Sequence, residues 1–144
     1  MTTDHRHSVS VAGVVVDGQG RALLIQRRDN GRWEPPGGVL ELGEAIEQGL
    51  RREVREETGL EVEPERLTGV YKNMIRGVVT LVFRCHATGG TITETDETTD
   101  WRWAEADEVT AMAAQAQAIR VLDGLAPGDG RPPAVREHDG QVLR

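Results

Sequence analysis

A chain of 144 residues with a formal net charge of −7 can bury one core of its own and leaves little room for a second domain. The acidic balance excludes the basic patch or stripe that a nucleic-acid binder needs, so no nucleic-acid polymer is expected as a partner. No apolar run approaches the ~20 residues that span a bilayer, and no membrane association is expected.

The opening MTTDHRHSVS has no apolar h-region, which points to a cytoplasmic protein. Two runs rich in β-branched residues then flank Asp17-Gly18-Gln19-Gly20, the pattern of a β-hairpin. In DNGRWEPPGG, Pro35 and Pro36 cannot donate to a sheet ladder, while Gly37 and Gly38 permit unusual backbone angles, so a shaped loop is predicted. Over residues 45–58, Ile46, Leu50 and Val54 recur at i, i+4 and i+8, and Gly59 stands where a C-terminal cap belongs; this spacing predicts a helix. After Pro64, LTGVYKN and GVVTLVFRCHATGGTITE read as strands, the second turning at Gly89-Gly90. Cys85, the only cysteine, lies in the apolar stretch VVTLVFRCHA and reads as a small buried thiol. DWRWAEADEV predicts one more short strand, on which Trp101 and Trp103 share a face directed at the following Ala-rich helix, from about Glu108 to Leu122. The polar segment over 127–144 is rich in Pro and Gly, and admits either disorder or a small hairpin at Asp139-Gly140. The expected organisation is therefore one domain over 1–126, an α/β sandwich with a mixed sheet covered by two helices, followed by a tail.

The helix carries an unusual load of acid. On a wheel that advances about 100° per residue with Val54 at zero, Leu50 falls near about −40° and Ile46 near about −80°, which marks the core-facing arc. Glu57 falls at about −60°, inside that arc, with Glu53 at about −100° and Glu56 at about −160°. A solvated face with an Arg52 to Glu56 pair, worth roughly 0.2–0.5 kcal/mol, leaves this unexplained. Glu53 and Glu57 are like charges at i, i+4, and all three acids crowd the C-terminal turns, where the helix dipole is already negative. Carboxylates converging at a sheltered helix edge make an oxygen-rich site suited to Mg²⁺ or Mn²⁺, and such a cation resolves the conflict.

These residues resemble the signature of the Nudix hydrolase superfamily: a Gly, five residues, a Glu, seven residues, then Arg-Glu-apolar-x-Glu-Glu-x-Gly-apolar. Gly38, Glu44, Arg52, Glu53, Val54, Glu56, Glu57, Gly59 and Leu60 match every fixed position. The WEPPGG approach and the order of elements over roughly residues 8 to 123 agree as well. The resemblance implies an α/β/α sandwich that hydrolyses a nucleoside diphosphate linked to another moiety, with Mg²⁺ (or Mn²⁺) as cofactor and a small-molecule nucleotide as partner. It also implies Glu53, Glu56 and Glu57 as metal ligands with the Gly38 carbonyl, and Arg52 and Glu44 as groups that orient them. The proton acceptor varies within the family between a helix acid, here Glu53, and an acid on a later loop. Glu94, Asp96, Glu97 and Asp100 lie between two strands, and Glu97 matches the later-loop acid best. Homodimers occur in the family, and no exposed apolar stripe demands one here.

Other residues are weighed for the substrate. Arg27, and its neighbour Arg28, follow the second strand and could meet phosphate charge. Trp33 could stack on a base or anchor its loop, and Tyr71, Asn73 and Arg76 stand at the end of a strand where base or sugar recognition could occur. His5, His7, His86 and His138 are scattered and form no ligand cluster with Cys85. The leading expectation is a nucleoside triphosphate or oxidised-dNTP pyrophosphohydrolase of the MutT-like kind. An ADP-ribose or nucleotide-sugar pyrophosphatase is the alternative, weakened because the downstream Pro of many ADP-ribose hydrolases is replaced by MIRGVV. A non-catalytic nucleotide-sensing module is opposed by the complete set of Glu53, Glu56 and Glu57.

Overall fold

The computed structural model describes residues 5–128 and 130–144; residues 1–4 of the opening segment and Asp129 of the expected tail lie outside it. Eight strands and three helices follow in the order β1 (Ser8–Val15), β2 (Ala22–Arg27), β3 (Trp33–Glu34), β4 (Gly37–Val39), α1 (Ile46–Thr58), β5 (Leu60–Asn73), β6 (Val78–Gly90), β7 (Thr98–Ala104), α2 (Ala106–Met112), α3 (Gln115–Leu125) and β8 (Ala134–His138). They form a mixed five-stranded sheet, β4-β1-β6-β5-β8, and a three-stranded antiparallel sheet, β3-β2-β7.

The anticipated β1–β2 hairpin is only half realised. Asp17 does close a tight turn, its Oδ1 accepting from the Gln19 and Arg21 amides at 2.9 Å each. Beyond one bridge between Val16 and Ala22, the two strands part into different sheets. The reason is burial: β1 and β2 are apolar on both faces, so each is taken up by other partners, β1 running parallel to β6 and β2 antiparallel to β7. Alternate residues of β1 serve different cores. Val11 and Val15 join Leu50 and Val54 of α1, whereas Ala12 and Val14 join Val109, Ala118 and Val121 of α2 and α3. This is the sandwich, with α1 on one side and α2 and α3 on the other.

Helix α1 forms where the spacing predicts. Gln48 Oε1 accepts the Ala45 amide at 3.1 Å, and Gly59, at φ 85°, closes the C-terminus with its N–H on the Arg55 carbonyl at 2.8 Å. Leu50 and Val54 are fully buried, each contributing about 1.5–3 kcal/mol. Ile46 departs from the wheel and is exposed, because burial begins only with Gly49 and Leu50. The loop expected at residues 29–38 contains two short strands, β3 and β4, separated by Pro35 and Pro36.

Two further expectations are corrected, and a third, left open, is resolved. The single Ala-rich helix is two, since Ala114 is extended and the Ala116 N–H at the start of α3 bonds the Gln141 carbonyl at 2.9 Å, so a distant segment supplies the cap. Trp103 packs into the α1-side core rather than on the C-terminal helix, because β7 pairs with β2 and places Trp103 opposite Leu23; Trp101 is exposed. Of the two alternatives for the closing segment, the hairpin at Asp139-Gly140 is realised in part, with residues 134–138 as its first arm. They add to the main sheet as β8, parallel to β5, before the chain turns at Asp139-Gly140 and bridges His138 to Leu143. Cys85 is fully buried beneath α1, with its thiol pushed up to about 12 by burial. No helix among the described residues is long and apolar enough to cross a membrane.

Candidate active site

Strand β4 fits closely between β1 and α1 because two residues there lack side chains. A Cβ at position 37 would collide with the Val11 carbonyl and Ala12, and one at position 38 would collide with the Glu53 carboxylate. The backbone consequently reaches the helix acids directly, and the Gly37 N–H donates to Glu57 Oε1 at 2.6 Å.

The order of burial follows the wheel. Glu57 is 5% exposed, Glu53 is 9% exposed and Glu56 is exposed. Burial pushes the Glu57 carboxyl up to about 8, with the charges of Glu34, Glu53 and Glu97 adding to it and the Gly37 amide opposing. Burial likewise raises Glu53, with Glu56 and Glu97 adding like charge against the pull of Arg52. Arg52 is the organising cation. It donates to Glu44 at 2.5 and 2.9 Å, to Glu53 at 3.0 Å, to Glu56 at 3.2 Å and to the Val39 carbonyl at 3.1 Å. Those bonds hold the Glu44 carboxyl down at about 2, well below the usual carboxylate range. One guanidinium thus hydrogen-bonds three carboxylates and leaves Glu57 to the Gly37 amide. Among the described residues no three acids are gathered in ligating geometry.

Facing Glu56 is the segment between β6 and β7. Glu56, Glu94, Thr95, Asp96 and Glu97 line an open pocket of about 500 Å³, which brings Glu97 to the same cleft as a carboxylate of α1. Among the described residues no Lys or Arg lines that pocket. The structure also brings in Glu34, which the sequence reading passed over. It is half-buried between Trp33 and Pro35, bonds Arg27 at 3.3 Å and adds to the negative field on Glu57. An acid set among turn formers just before two glycines was the available signal.

The substrate candidates are distributed differently. Arg27 is committed to Asp29, at 2.6 and 2.9 Å, and to Glu34, and its guanidinium is held firmly in the charged form. Trp33 packs against the core on the α3 side. Tyr71 is fully buried and donates to Asp123 at 2.6 Å, which removes it from any contact with a ligand. Asn73 Oδ1 accepts from the Ile75 and Arg76 amides in the β5–β6 turn. Asn73 and Arg76 therefore sit at the end of a strand three places along the sheet from β4, away from the carboxylates.

The architecture is that of a Nudix-type sandwich: the crystal structure of an ADP-ribose pyrophosphatase from Streptococcus suis superposes with a TM-score of 0.79 at 20% identity, covering 90% of this chain and 99% of that one. The NUDIX domain family model matches residues 6–123. A MutT-like protein of Streptomyces ambofaciens is 56% identical over 142 residues, 99% of this chain and 90% of its own length. An ADP-ribose pyrophosphatase of Methanocaldococcus jannaschii is 31% identical over 113 residues, 74% of this chain and 66% of its own. The chain belongs to the Nudix family of pyrophosphohydrolases.

Proposed function

We propose that this chain hydrolyses a phosphoanhydride bond in a nucleoside diphosphate derivative, with a nucleoside triphosphate or oxidised dNTP as the substrate, in a reaction that requires Mg²⁺ or Mn²⁺. The observation that carries this reading is the pocket lined by Glu56, Glu94, Asp96 and Glu97 with no basic side chain, set beside the buried Glu53 and Glu57 in a protein of net charge −7. A polyphosphate is repelled from such a surface unless cations accompany it. The donor set fits the group: hard carboxylate oxygens, one of which, on Glu57, burial and then neighbouring negative charge push up to about 8.

Glu53, Glu56 and Glu57 would hold the metal, with the Gly38 carbonyl beside them. When bound, it neutralises phosphate oxygens and acidifies the attacking water. Arg52 and Glu44 orient the carboxylates through the bonds described above. Glu97, on the far wall of the pocket, accepts the proton from water, a role that Glu53 is less free to play while it is bonded to Arg52.

An ADP-ribose or nucleotide-sugar substrate is the second reading, supported by the name of the Methanocaldococcus relative. Product analysis decides between them. Nucleoside triphosphates, oxidised dNTPs, ADP-ribose, nucleotide sugars and dinucleoside polyphosphates are incubated with Mg²⁺, Mn²⁺ or EDTA. Pyrophosphate and a nucleoside monophosphate from one triphosphate, abolished by EDTA, is the expected result. AMP and ribose 5-phosphate from ADP-ribose would establish the alternative, and tight nucleotide binding with no turnover would mean a sensing module.

A further inference from the structure

Adjacent arginines at the end of β2 point in opposite directions. Arg27 turns to Asp29 and Glu34, whereas Arg28 crosses to the acidic segment 68 residues further along the chain. Its backbone N–H donates to the Glu97 carbonyl at 2.9 Å. Its guanidinium Nε donates to the Asp96 carbonyl at 3.1 Å, and Nη2 to the Thr95 carbonyl at 2.9 Å and the Glu94 carboxylate at 2.8 Å. Four consecutive loop residues are thereby attached to one side chain and its own amide.

The other end of the segment is fixed separately, the Thr93 N–H donating to the carbonyl of Thr58, the last residue of α1. Inside it, Thr95 Oγ1 accepts the Glu97 and Thr98 amides at 3.3 and 3.1 Å. Without Arg28 this segment would place Glu94, Asp96 and Glu97 opposite Glu56 with no cation of their own, since Arg52 is already shared among Glu44, Glu53 and Glu56. Arg28 does not line the pocket; it holds the loop from behind.

We propose that Arg28 is a positioning residue that fixes the loop 94–97 so that Glu97 faces the carboxylates of α1. This rests on the role given to Glu97 above. The side chain is 47% exposed, so its ion pair with Glu94 is a minor part of the clasp. The larger part is the bonds to the Thr95 and Asp96 carbonyls, which require the planar fork of an arginine and which a lysine cannot reproduce together.

Two measurements test this on the intact chain, using Arg28→Ala, Arg28→Lys, Glu97→Gln and the double variant Arg28→Ala/Glu97→Gln. The first is amide hydrogen exchange of the metal-free protein. Arg28→Ala should speed exchange at residues 95–98 by about tenfold or more, leave the α1 amides unchanged, and be only partly rescued by Arg28→Lys. The second is steady-state kinetics with Mg²⁺ and whichever of dGTP, 8-oxo-dGTP or ADP-ribose is turned over fastest. Arg28→Ala should lower kcat about tenfold to a hundredfold with KM little changed, and the double variant should be no slower than Glu97→Gln alone. Unchanged loop exchange, or a double variant in which the two losses multiply while Glu97→Gln is itself crippled, would overturn the proposal and leave the role of Glu97 standing. Full activity in Glu97→Gln would overturn that role, and with it the catalytic effect assigned to Arg28.

Discussion

On the α3 side of the sheet, Asp123 accepts hydrogen bonds from the Tyr71 hydroxyl at 2.6 Å and from Arg136 Nε and Nη2 at 2.8 Å each. On the α1 side, Glu53 and Glu57 are sunk as deeply with a single shared arginine between the helix acids. Both are polar clusters in a protein interior, where an unpaired charge costs several kcal/mol. The first meets that cost by pairing. Even Arg120, 8% exposed, rests over the Tyr71 ring at 5.3 Å and against His138 Nε2 at 3.1 Å, although its Nε has no partner among the described residues. The second leaves negative charge over, and burial, with that charge adding to it, keeps a proton on Glu57. The contrast separates a cluster that ties β8, β5 and α3 together from one that carries surplus charge, which in the function proposed above a cation would neutralise.

The largest expected effect comes from removing that surplus. Glu57→Gln keeps the volume and drops the charge, so turnover should fall on the order of 10³-fold. The metal-free melting temperature at pH 8 should hold or rise, because glutamine needs no proton to be buried. A clear drop in melting temperature would mean that Glu57 is structural after all, and the contrast would fail. Gly38→Ala should act on the same side by displacing the Glu53 carboxylate, lowering kcat by about 10- to 100-fold with a smaller change in stability.

Asp123→Asn should do the reverse. It weakens the bonds to Tyr71 and Arg136 at a cost of about 2–3 kcal/mol, or roughly 5–10 °C in Tm for a chain of this size, with kcat nearly unchanged. A large loss of kcat in a folded Asp123→Asn would show that the paired cluster also serves the chemistry.

The smallest effects are in pH, and the two clusters should pull in opposite directions. In the metal-free fold Glu57 holds a proton up to about 8 that the unfolded chain releases near 4.5, so stability falls as pH rises through that interval. Mg²⁺ should abolish the fall. His138 is shifted the other way. It is 2% exposed, Arg120 Nη2 and the Gly140 N–H face its two ring nitrogens, and burial followed by the charge of Arg120 lowers its pKa. The unfolded chain takes up a proton near 6.5 that the fold refuses, so stability is lost as pH drops below that value. Thermal melts from pH 4.5 to 8.5 in EDTA should show His138→Gln flattening the acid loss and Glu57→Gln the alkaline one.

These outcomes also bear on what could be read from the residues beforehand. Helix α1 was legible because Leu50, Val54 and Gly59 are local signals, and the burial of Glu57 followed from the same geometry. The divergence of β1 and β2 was not, since the turn at Asp17 is local and the choice of sheet partner depends on β6 and β7. Nor was the break between α2 and α3, where Ala113 and Ala114 carry no helix-breaking chemistry and the cap comes from Gln141. In the site, Glu97 could be singled out among four loop acids by its place before the Trp-bearing strand, but its distance from α1 was not legible, because a loop's approach to a helix depends on contacts such as those of Arg28. Tyr71 was misplaced for the converse reason: its position on the strand was visible, but its partner Asp123 lies 52 residues away.

Buried beneath α1, the sulfur of Cys85 has no exposed surface and a thiol that stays protonated at any ordinary pH. As the chain's only cysteine, it makes the protein its own reporter of opening. A thiol-alkylating reagent added to the native enzyme can react only when the α1-side core comes apart, so the labelling rate reads how often that happens, with no probe engineered in.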